Sequence, residues 1–362
     1  MAGHVVIAPD KFKGSLTAPE VAAAVARGLQ AAAPGVEVLC LPVADGGDGT
    51  VDAAIAAGYL RVTRWVTGPT GKPVSASIAV RGDTAVVEMA AASGLVVLPE
   101  GRLEPLTATS AGTGDLLRIA LDLGCRRIVL GVGGSACTDG GEGMLVALGA
   151  RVDQSSVDLS GLDERLRGVD FVLASDVDNP LLGPTGAAAV YGPQKGASPA
   201  DVEVLEARLD RWADLIGREH ADAPGAGAAG GVGFAALAVL GARRRSGIEV
   251  LLELVGFPQA LPGARLVVTG EGSLDEQTLN GKAPAGVAAA AGGVPVVAVA
   301  GRCLLKQEAL QRAGISAAYA LLDIEPDPGR CFALAGPLLE RLAGRVAREW
   351  LPTGAHDARE GG

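Results

Sequence analysis

Short apolar runs alternate with longer stretches of helical period along most of the chain. Residues 5–8 form a continuous apolar run of strand length. A polar loop follows, then an alanine-rich helix whose start is marked by Thr17, Pro19 and Glu20. A threonine with a glutamate three positions later is the spacing of a capping box. Residues 38–43 predict a second strand and 49–57 a second helix. Over 61–89 the pattern changes to short strands at 62–66, 74–78 and 85–87. Turns at Gly68-Pro69 and Gly82-Asp83 separate them, which predicts an antiparallel meander. Beyond Thr113 the alternation returns, with a helix at 114–123, strands at 127–131 and 171–175, and a helix at 199–218. Strands at 265–269, 295–300 and 317–321 and a helix at 334–350 complete it.

This pattern predicts an α/β protein with mostly parallel sheets, the meander marking a second unit. The expected division is a discontinuous α/β domain of residues 1–61 and 292–362 and a second α/β domain of residues 62–291. The last dozen residues are expected to be unstructured.

Composition narrows the class. Glycine is 53 of 362 residues, about twice the usual ~7%. No Gly-X-Y period accompanies it and 49% of residues are hydrophobic, so neither a collagen-like nor a disordered chain fits. Aromatic residues are 3% and the formal charge is −10. That argues against base stacking and against a nucleic-acid partner. The five cysteines, 40, 125, 137, 303 and 331, form no Cys-x-x-Cys pair, which argues against a zinc site and for a reducing, cytoplasmic setting. Charge arrives at once at Asp10, Lys11 and Lys13, unlike a signal peptide. The densest apolar part of the longest uncharged run, 234–240, is too short to span a membrane.

Familiar catalytic sets are missing from the sequence. His4, His220 and His356 read as solvated surface, and no Gly-x-Ser-x-Gly elbow occurs. Gly281-Lys282 has Glu276 where a P-loop needs glycine and Ala283 where it needs Ser or Thr. Gly131-Val-Gly-Gly-Ser-Ala136 fits a dinucleotide fingerprint by spacing, but a polar stretch follows before any helix. Gly225-Ala-Gly-Ala-Ala-Gly230 has the spacing without a preceding strand.

Glycine-flanked polar clusters recur instead after the predicted strands. They are Asp10-Lys-Phe-Lys-Gly-Ser15, Asp45-Gly-Gly-Asp-Gly-Thr50, the stretch from Gly133 to Gly141, Asp176-Val-Asp-Asn179 and Gly270-Glu-Gly-Ser-Leu-Asp275. Open α/β sheets bind ligands at the carboxyl ends of their strands. Glycine lets backbone N–H groups approach an anion, and helix N-termini add a favourable dipole. Carboxylates there suit Mg²⁺, and Lys11, Lys13, Lys195 and Lys282 can neutralise phosphoryl charge. Each piece also has a plain structural use, since Asp-Gly marks turns and Ser or Thr caps helices. Glu20, Arg27 and the Arg243–Arg245 run read as solvated faces, and Cys137 as a small packed residue.

These segments closely resemble the bacterial type I glycerate kinases. The resemblance is carried by Ala8-Pro-Asp-Lys-Phe-Lys-Gly-Ser-Leu16, Pro42-Val-Ala-Asp-Gly-Gly-Asp-Gly-Thr50 and Ala108-Thr-Ser-Ala-Gly-Thr-Gly-Asp115. The stretch from Gly133 to Gly143, Ser175-Asp-Val-Asp-Asn-Pro-Leu181, Gly192-Pro-Gln-Lys-Gly196 and Pro224-Gly-Ala-Gly-Ala-Ala-Gly-Gly231 extend it. Thr269-Gly-Glu-Gly-Ser-Leu-Asp-Glu-Gln-Thr278 with Gly281-Lys282 closes it. The family's loop reads Gly-Gly-Ser-Ala-Thr-Asn-Asp-Gly-Gly. Here Cys137 and Thr138 replace its Thr-Asn pair, while Asp139 and the glycines are kept.

The resemblance implies two α/β domains, one flavodoxin-like, with the active site in the cleft between them. It implies MgATP-dependent phosphorylation of D-glycerate to 2-phosphoglycerate. Asp45 and Asp48 would hold Mg²⁺ or orient the glycerate hydroxyl, and one of Asp10, Asp48 or Asp176 would accept its proton. Lys11, Lys13 or Lys195 would offset charge on the moving phosphoryl group. Gly133, Gly134 and Ser135, with Gly270, Glu271, Gly272 and Ser273, would offer backbone donors. Asp139, Asp275 and Lys282 complete the expected nucleotide-binding set. No nucleic acid or membrane is implied, and a homo-oligomer stays open. A kinase of another hydroxy acid, a glycerate 3-kinase, a non-catalytic nucleotide sensor and an NAD-dependent oxidoreductase are the alternatives.

Overall fold

In the computed structural model the described residues are 3–44, 46–279 and 282–352. Asp45, Gly281, His356 and all but the first two of the terminal dozen lie outside them. The strands in chain order are β1 His4–Pro9, β2 Val38–Cys40, β3 Leu60–Thr67, β4 Pro73–Arg81, β5 Thr84–Glu88, β6 Arg127–Gly131 and β7 Arg151–Val152. Then come β8 Val157–Asp158, β9 Asp170–Ala174, β10 Arg243–Arg245, β11 Ala264–Leu274, β12 Val296–Cys303 and β13 Ala317–Ala320.

The chain divides into two compact units. One comprises the chain up to Ala44 together with the chain from Leu252 onward, and the other the residues between. In the first unit a parallel five-stranded sheet runs β2-β1-β11-β12-β13. Numbered along this unit alone, that is the 2-1-3-4-5 order of flavodoxin-like sheets, with its switch point between β1 and β11. Val5 pairs with Leu266 and Pro9 with Gly270. The Thr269 hydroxyl donates to Ala8 O at 2.9 Å, a second link across the same pair.

The near-continuous apolar runs of β1, β11 and β12 follow from burial of both sheet faces. On one face Val5, Ile7, Val268 and Val299 pack with the helices Ala18–Ala32 and Ala335–Trp350. On the other, Ala298 and Ala300 meet Leu310 and Ile315. The residues alternate along β12 because successive side chains point to opposite faces.

The capping box forms as its spacing predicts. Glu20 N–H donates to the Thr17 hydroxyl, and Thr17 N–H donates to Glu20 Oε2 at 2.8 Å. Thr17→Ala is expected to cost the first unit about 1 kcal/mol, the usual value of a lost N-cap. Urea denaturation would read this as a lower midpoint at unchanged slope. An unchanged midpoint would show that the cap contributes nothing here.

The second unit holds a six-stranded sheet, β10-β9-β6-β5-β4-β3. The predicted meander exists, but β5 also pairs in parallel with β6, Val86 against Val129. The meander is therefore the antiparallel edge of a mixed sheet and not a separate unit. Strands β7 and β8 form a small hairpin.

Three expectations are corrected. Residues 264–274 were expected in the second domain but supply the central strand of the first unit's sheet. That strand also runs five residues past its predicted end, through Gly270 to Leu274, because β12 continues alongside to pair with it. Arg243–Arg245, expected on a solvated face, is an edge strand on β9. Its side chains form ion pairs, Arg243 with Asp170 at 2.7 Å and Arg244 with Asp178 at 2.6 Å. Among the described residues no helix is long and apolar enough to cross a membrane.

Candidate active site

Among the described residues, Asp10 and Gly270 to Ser273 in one unit, and Asp48, Gly133 and Asp176 in the other, lie at or near the carboxyl ends of parallel strands. In the first unit, β1 ends at Pro9, and Asp10 N–H donates to Gly270 O at 2.8 Å. Lys11 N–H donates to Asp10 Oδ1 at 2.6 Å, and the Lys11 ammonium stands 4.0 Å from the same oxygen. Asp10 is thus held at the switch point, where this sheet order places ligands. Lys13 is exposed on the loop that follows.

The end of β11 is more committed than its composition suggests. Gly270, Glu271, Ser273 and Leu274 lie opposite Val299, Ala300, Arg302 and Cys303 of β12. The expected row of free backbone donors is therefore a strand edge. Polar side chains tie this edge together. The buried Thr278 hydroxyl donates to Glu271, Arg302 Nε donates to Ser273 Oγ at 3.0 Å, and Asp275 Oδ1 accepts from Gln277 N–H at 3.0 Å. Gly272 lies among them. Lys282 occupies the cap position of the helix Ala283–Ala290. A cation at that positive helix end is favourable only with an anion nearby.

In the second unit, the turn carrying Gly46, Gly47, Asp48 and Gly49 lies against the ends of β6 and β9. A Cβ on Gly131 would stand 2.5 Å from Gly46 O, and one on Gly133 would stand 2.6 Å from Gly47 Cα. No side chain fits at either position, so glycine is what lets these backbones meet. Asp48 is exposed at the tip. Glu88, the last residue of β5, is buried and accepts from Gly49 N–H at 3.1 Å and Val51 N–H at 3.2 Å. Its carboxylate sits at the start of the helix Thr50–Ala56, where the dipole favours a negative charge. At the end of β9, Asp176 Oδ1 accepts from Gly247 N–H at 3.0 Å.

Beside Asp176, the hydroxyl of Ser175 is buried and has no partner in the protein. A buried hydroxyl left without a partner fits a polar ligand, since such groups are normally satisfied. Among the described residues no group of three or more His, Cys, Asp or Glu side chains is disposed to hold a metal ion. Mg²⁺ brought with phosphates needs only one or two carboxylates. Asp48 therefore suffices in kind.

Two of the expected residues, Asp139 and Lys195, are bonded within the protein at the loop after β6. Asp139 is an internal clamp. Its Oδ2 accepts from Ser110 N–H at 2.7 Å, Ser110 Oγ at 2.8 Å and Gly143 N–H at 3.2 Å, and its Oδ1 accepts from Gly141 N–H at 3.2 Å. These bonds join the starts of the helices Ala111–Asp122 and Glu142–Ala147.

Lys195 is only 1% exposed. It donates to Cys137 O and, at 3.4 Å, to Thr138 Oγ1. Burial holds its pKa below the ordinary lysine value, opposed by the nearby Cys137 and Asp139. Cys137 is fully buried, and burial likewise pushes its thiol well up. Thr138, which stands where the resembling family has Asn, thus supplies a hydroxyl to the buried ammonium. Gly133 and Gly134 are left at the loop's outer turn, and Ser135 is buried. The stretch 132–141 separates β6 from the six-residue helix Glu142–Ala147. It lacks the strand–turn–helix form of a dinucleotide loop.

Comparison with known proteins decides the family. The glycerate kinase family model matches residues 5–351. This chain belongs to the glycerate kinase family. It is 44% identical to the glycerate kinase of Bacillus subtilis (strain 168) over 95% of this chain and 96% of that protein. It is 43% identical to the glycerate 2-kinase of Escherichia coli (strain K12), over 88% and 90% respectively. A glycerate kinase 2 candidate from Salmonella typhimurium LT2 has a crystal structure that matches with a TM-score of 0.84 at 41% identity, covering 96% of this chain and 98% of that one. Membership places the chain among phosphotransferases and accounts for the α/β architecture.

Glu88, Ser175 and Arg302 are members of these clusters that sequence reasoning did not single out. Each stands at or just past the carboxyl end of a parallel strand, so the rule that found Asp10 and Asp176 could have found them.

Proposed function

We propose that this member of the glycerate kinase family transfers the γ-phosphoryl group of ATP to the 2-hydroxyl of D-glycerate, giving 2-phosphoglycerate and ADP. The observation that supports the reading is the set of groups at the strand ends of the second unit: close-packed glycine backbones, the orphaned Ser175 hydroxyl and the acidic residues Asp48 and Asp176. Phosphoryl transfer asks for positioning and charge stabilisation more than for covalent chemistry by the protein.

Asp48, with Asp45, is suited to hold Mg²⁺, which when bound neutralises charge on the phosphate oxygens. Asp48 or Asp176 in this unit, or Asp10 in the other, accepts the proton of the glycerate hydroxyl as its oxygen bonds to phosphorus and the bond to the ADP oxygen breaks. Ser175 and the N–H groups of Gly133 and Gly134 offer donors to anionic oxygens. Lys11 and Lys13 supply mobile positive charge, whereas Lys195 holds the loop in place from beneath. Lys282 is placed to meet a phosphate or a carboxylate.

The test is incubation with MgATP and D-glycerate, read by ³¹P NMR. A 2-phosphoglycerate resonance that disappears with EDTA is expected. A 3-phosphoglycerate resonance would overturn the regiochemistry. ATP binding without product from a folded protein would overturn the reading.

A further inference from the structure

The Asp48 side chain is exposed, but the backbone beneath it is held from the core. Glu88 is only 6% exposed at the end of β5. Its Oε2 accepts from both Gly49 N–H at 3.1 Å and Val51 N–H at 3.2 Å. These are the amides one and three positions beyond Asp48, so one oxygen atom pins the chain there at two points. The Thr50 hydroxyl donates to Gly47 O at 2.6 Å and closes the turn around Asp48.

The neighbour of Glu88 across the strand pair is Gly131 of β6. The missing side chain at Gly131 is what admits Gly46 O, which a Cβ there would meet at 2.5 Å. This one register pair thus seats the turn twice. Its carboxylate holds the turn from β5, and its glycine lets the turn settle onto β6.

A carboxylate is costly to bury and is tolerated where hydrogen bonds satisfy it. Capping a helix does not require one, because Ser, Thr, Asn or Asp at the cap position does the same work locally. Here the cap position is Gly49, at φ +96°, with no side chain to offer. A capping side chain there would need the extended backbone that such caps adopt. That change would redirect the chain and carry Asp48 with it. The fold keeps the left-handed turn and takes its cap from a strand 37 to 39 positions away. The helix so capped, Thr50–Ala56, has only seven residues. The placement of Asp48 is the larger return on a buried charge.

We propose that Glu88 is the positioning residue for Asp48, acting through the two amides and not on the reacting groups. The proposal rests on the kinase reading, in which Asp48 serves the phosphoryl transfer.

The experiment compares Glu88→Ala and Glu88→Gln in the full-length protein, each alone and combined with Asp48→Asn. The readouts are steady-state kinetics and amide hydrogen exchange. Glu88→Ala is expected to lower kcat roughly 10–100-fold, the cost of misplacing a reacting group by about 1 Å. Both KM values should stay within about twofold, because ground-state binding is not what is lost. Glu88→Gln keeps an oxygen for both amides and should restore kcat to within about fivefold of wild type. With Asp48→Asn already present, Glu88→Ala should change kcat by less than about twofold, since residues that act as a unit are not additive. Exchange over residues 46–56 should quicken in Glu88→Ala and stay slow in Glu88→Gln. If Glu88→Ala does not fold, Glu88→Asp, which withdraws the carboxylate by one methylene, takes its place.

An equal kinetic loss with and without Asp48→Asn would overturn the proposal. So would normal turnover in Asp48→Asn, or exchange over 46–56 that Glu88→Ala leaves unchanged. A wild type that phosphorylates nothing overturns the kinase reading alone, and the exchange then decides whether Glu88 sets the turn that carries Asp48.

Discussion

Asp48→Asn is expected to lower kcat for phosphoryl transfer to D-glycerate at least ~100-fold, the scale on which a general base or a charge-stabilising group acts. Asp48 is exposed at the tip of its turn. The turn is fixed from beneath by Glu88, which accepts from the amides of Gly49 and Val51, and by glycine contacts with β6. The melting temperature should therefore hardly move, as for most surface substitutions. This separation is what makes the variant informative, because a large kinetic loss at constant stability places Asp48 in the chemistry. Turnover equal to wild type would remove Asp48 from both expected roles and leave Asp10 and Asp176 as acceptors. Asp176→Asn is a poorer probe, since Asp176 also accepts from Gly247 N–H.

Gly230→Ala is expected to destabilise the second unit by about 2–5 kcal/mol. Two costs add. Gly230 has φ +67°, a left-handed conformation that costs an L-residue roughly 1–2 kcal/mol. The new methyl would also stand 2.2 Å from Cys137 O and 2.9 Å from Lys195 Nζ, and such overpacking costs roughly 1–3 kcal/mol. Scanning calorimetry should show a transition lowered by roughly 5–12 °C, with the first unit's transition unmoved if the two unfold separately. Melting indistinguishable from wild type would show that the loop yields easily and that the tight contact with Lys195 is not needed. The clash falls on the carbonyl that the Lys195 ammonium binds, so a surviving fold should also lose activity.

Much of the fold was legible in the chain, for identifiable reasons. Strands such as β1, β6 and β9 are apolar runs bounded by glycine or charge, and a buried parallel strand must look that way. Thr17 and Glu20 announce their helix because the cap is local chemistry. What stayed hidden depends on partners distant in sequence. Gly270-Glu-Gly-Ser reads as a loop, yet it is a strand because Ser273 finds Arg302 opposite on β12. Three consecutive arginines read as solvent-facing until β9 offers an edge and Asp170 and Asp178 offer counter-charges. Tertiary context overrides strand propensity in both cases.

The site divides the same way. The strand-end rule finds Asp10, Asp48 and Asp176 from sequence alone. It cannot tell that Asp139 clamps two helix starts or that Lys195 is buried. The carbonyl that receives Lys195 lies 58 positions away, and a Pro-Gln-Lys-Gly stretch carries no sign of burial.

The order of strands in the first unit has a consequence for how the chain is made. Ala8 and Thr269, joined by a hydrogen bond on neighbouring strands, are 261 positions apart. The second unit is encoded wholly between them and has its own core. Domains generally fold as units during synthesis, and contacts between distant positions form late. β1 and β2 must therefore wait without β11, β12 and β13 while the whole second unit emerges and folds. A chain that has emerged as far as residue 252 would hold one unit ready to fold and another still lacking β11, β12 and β13.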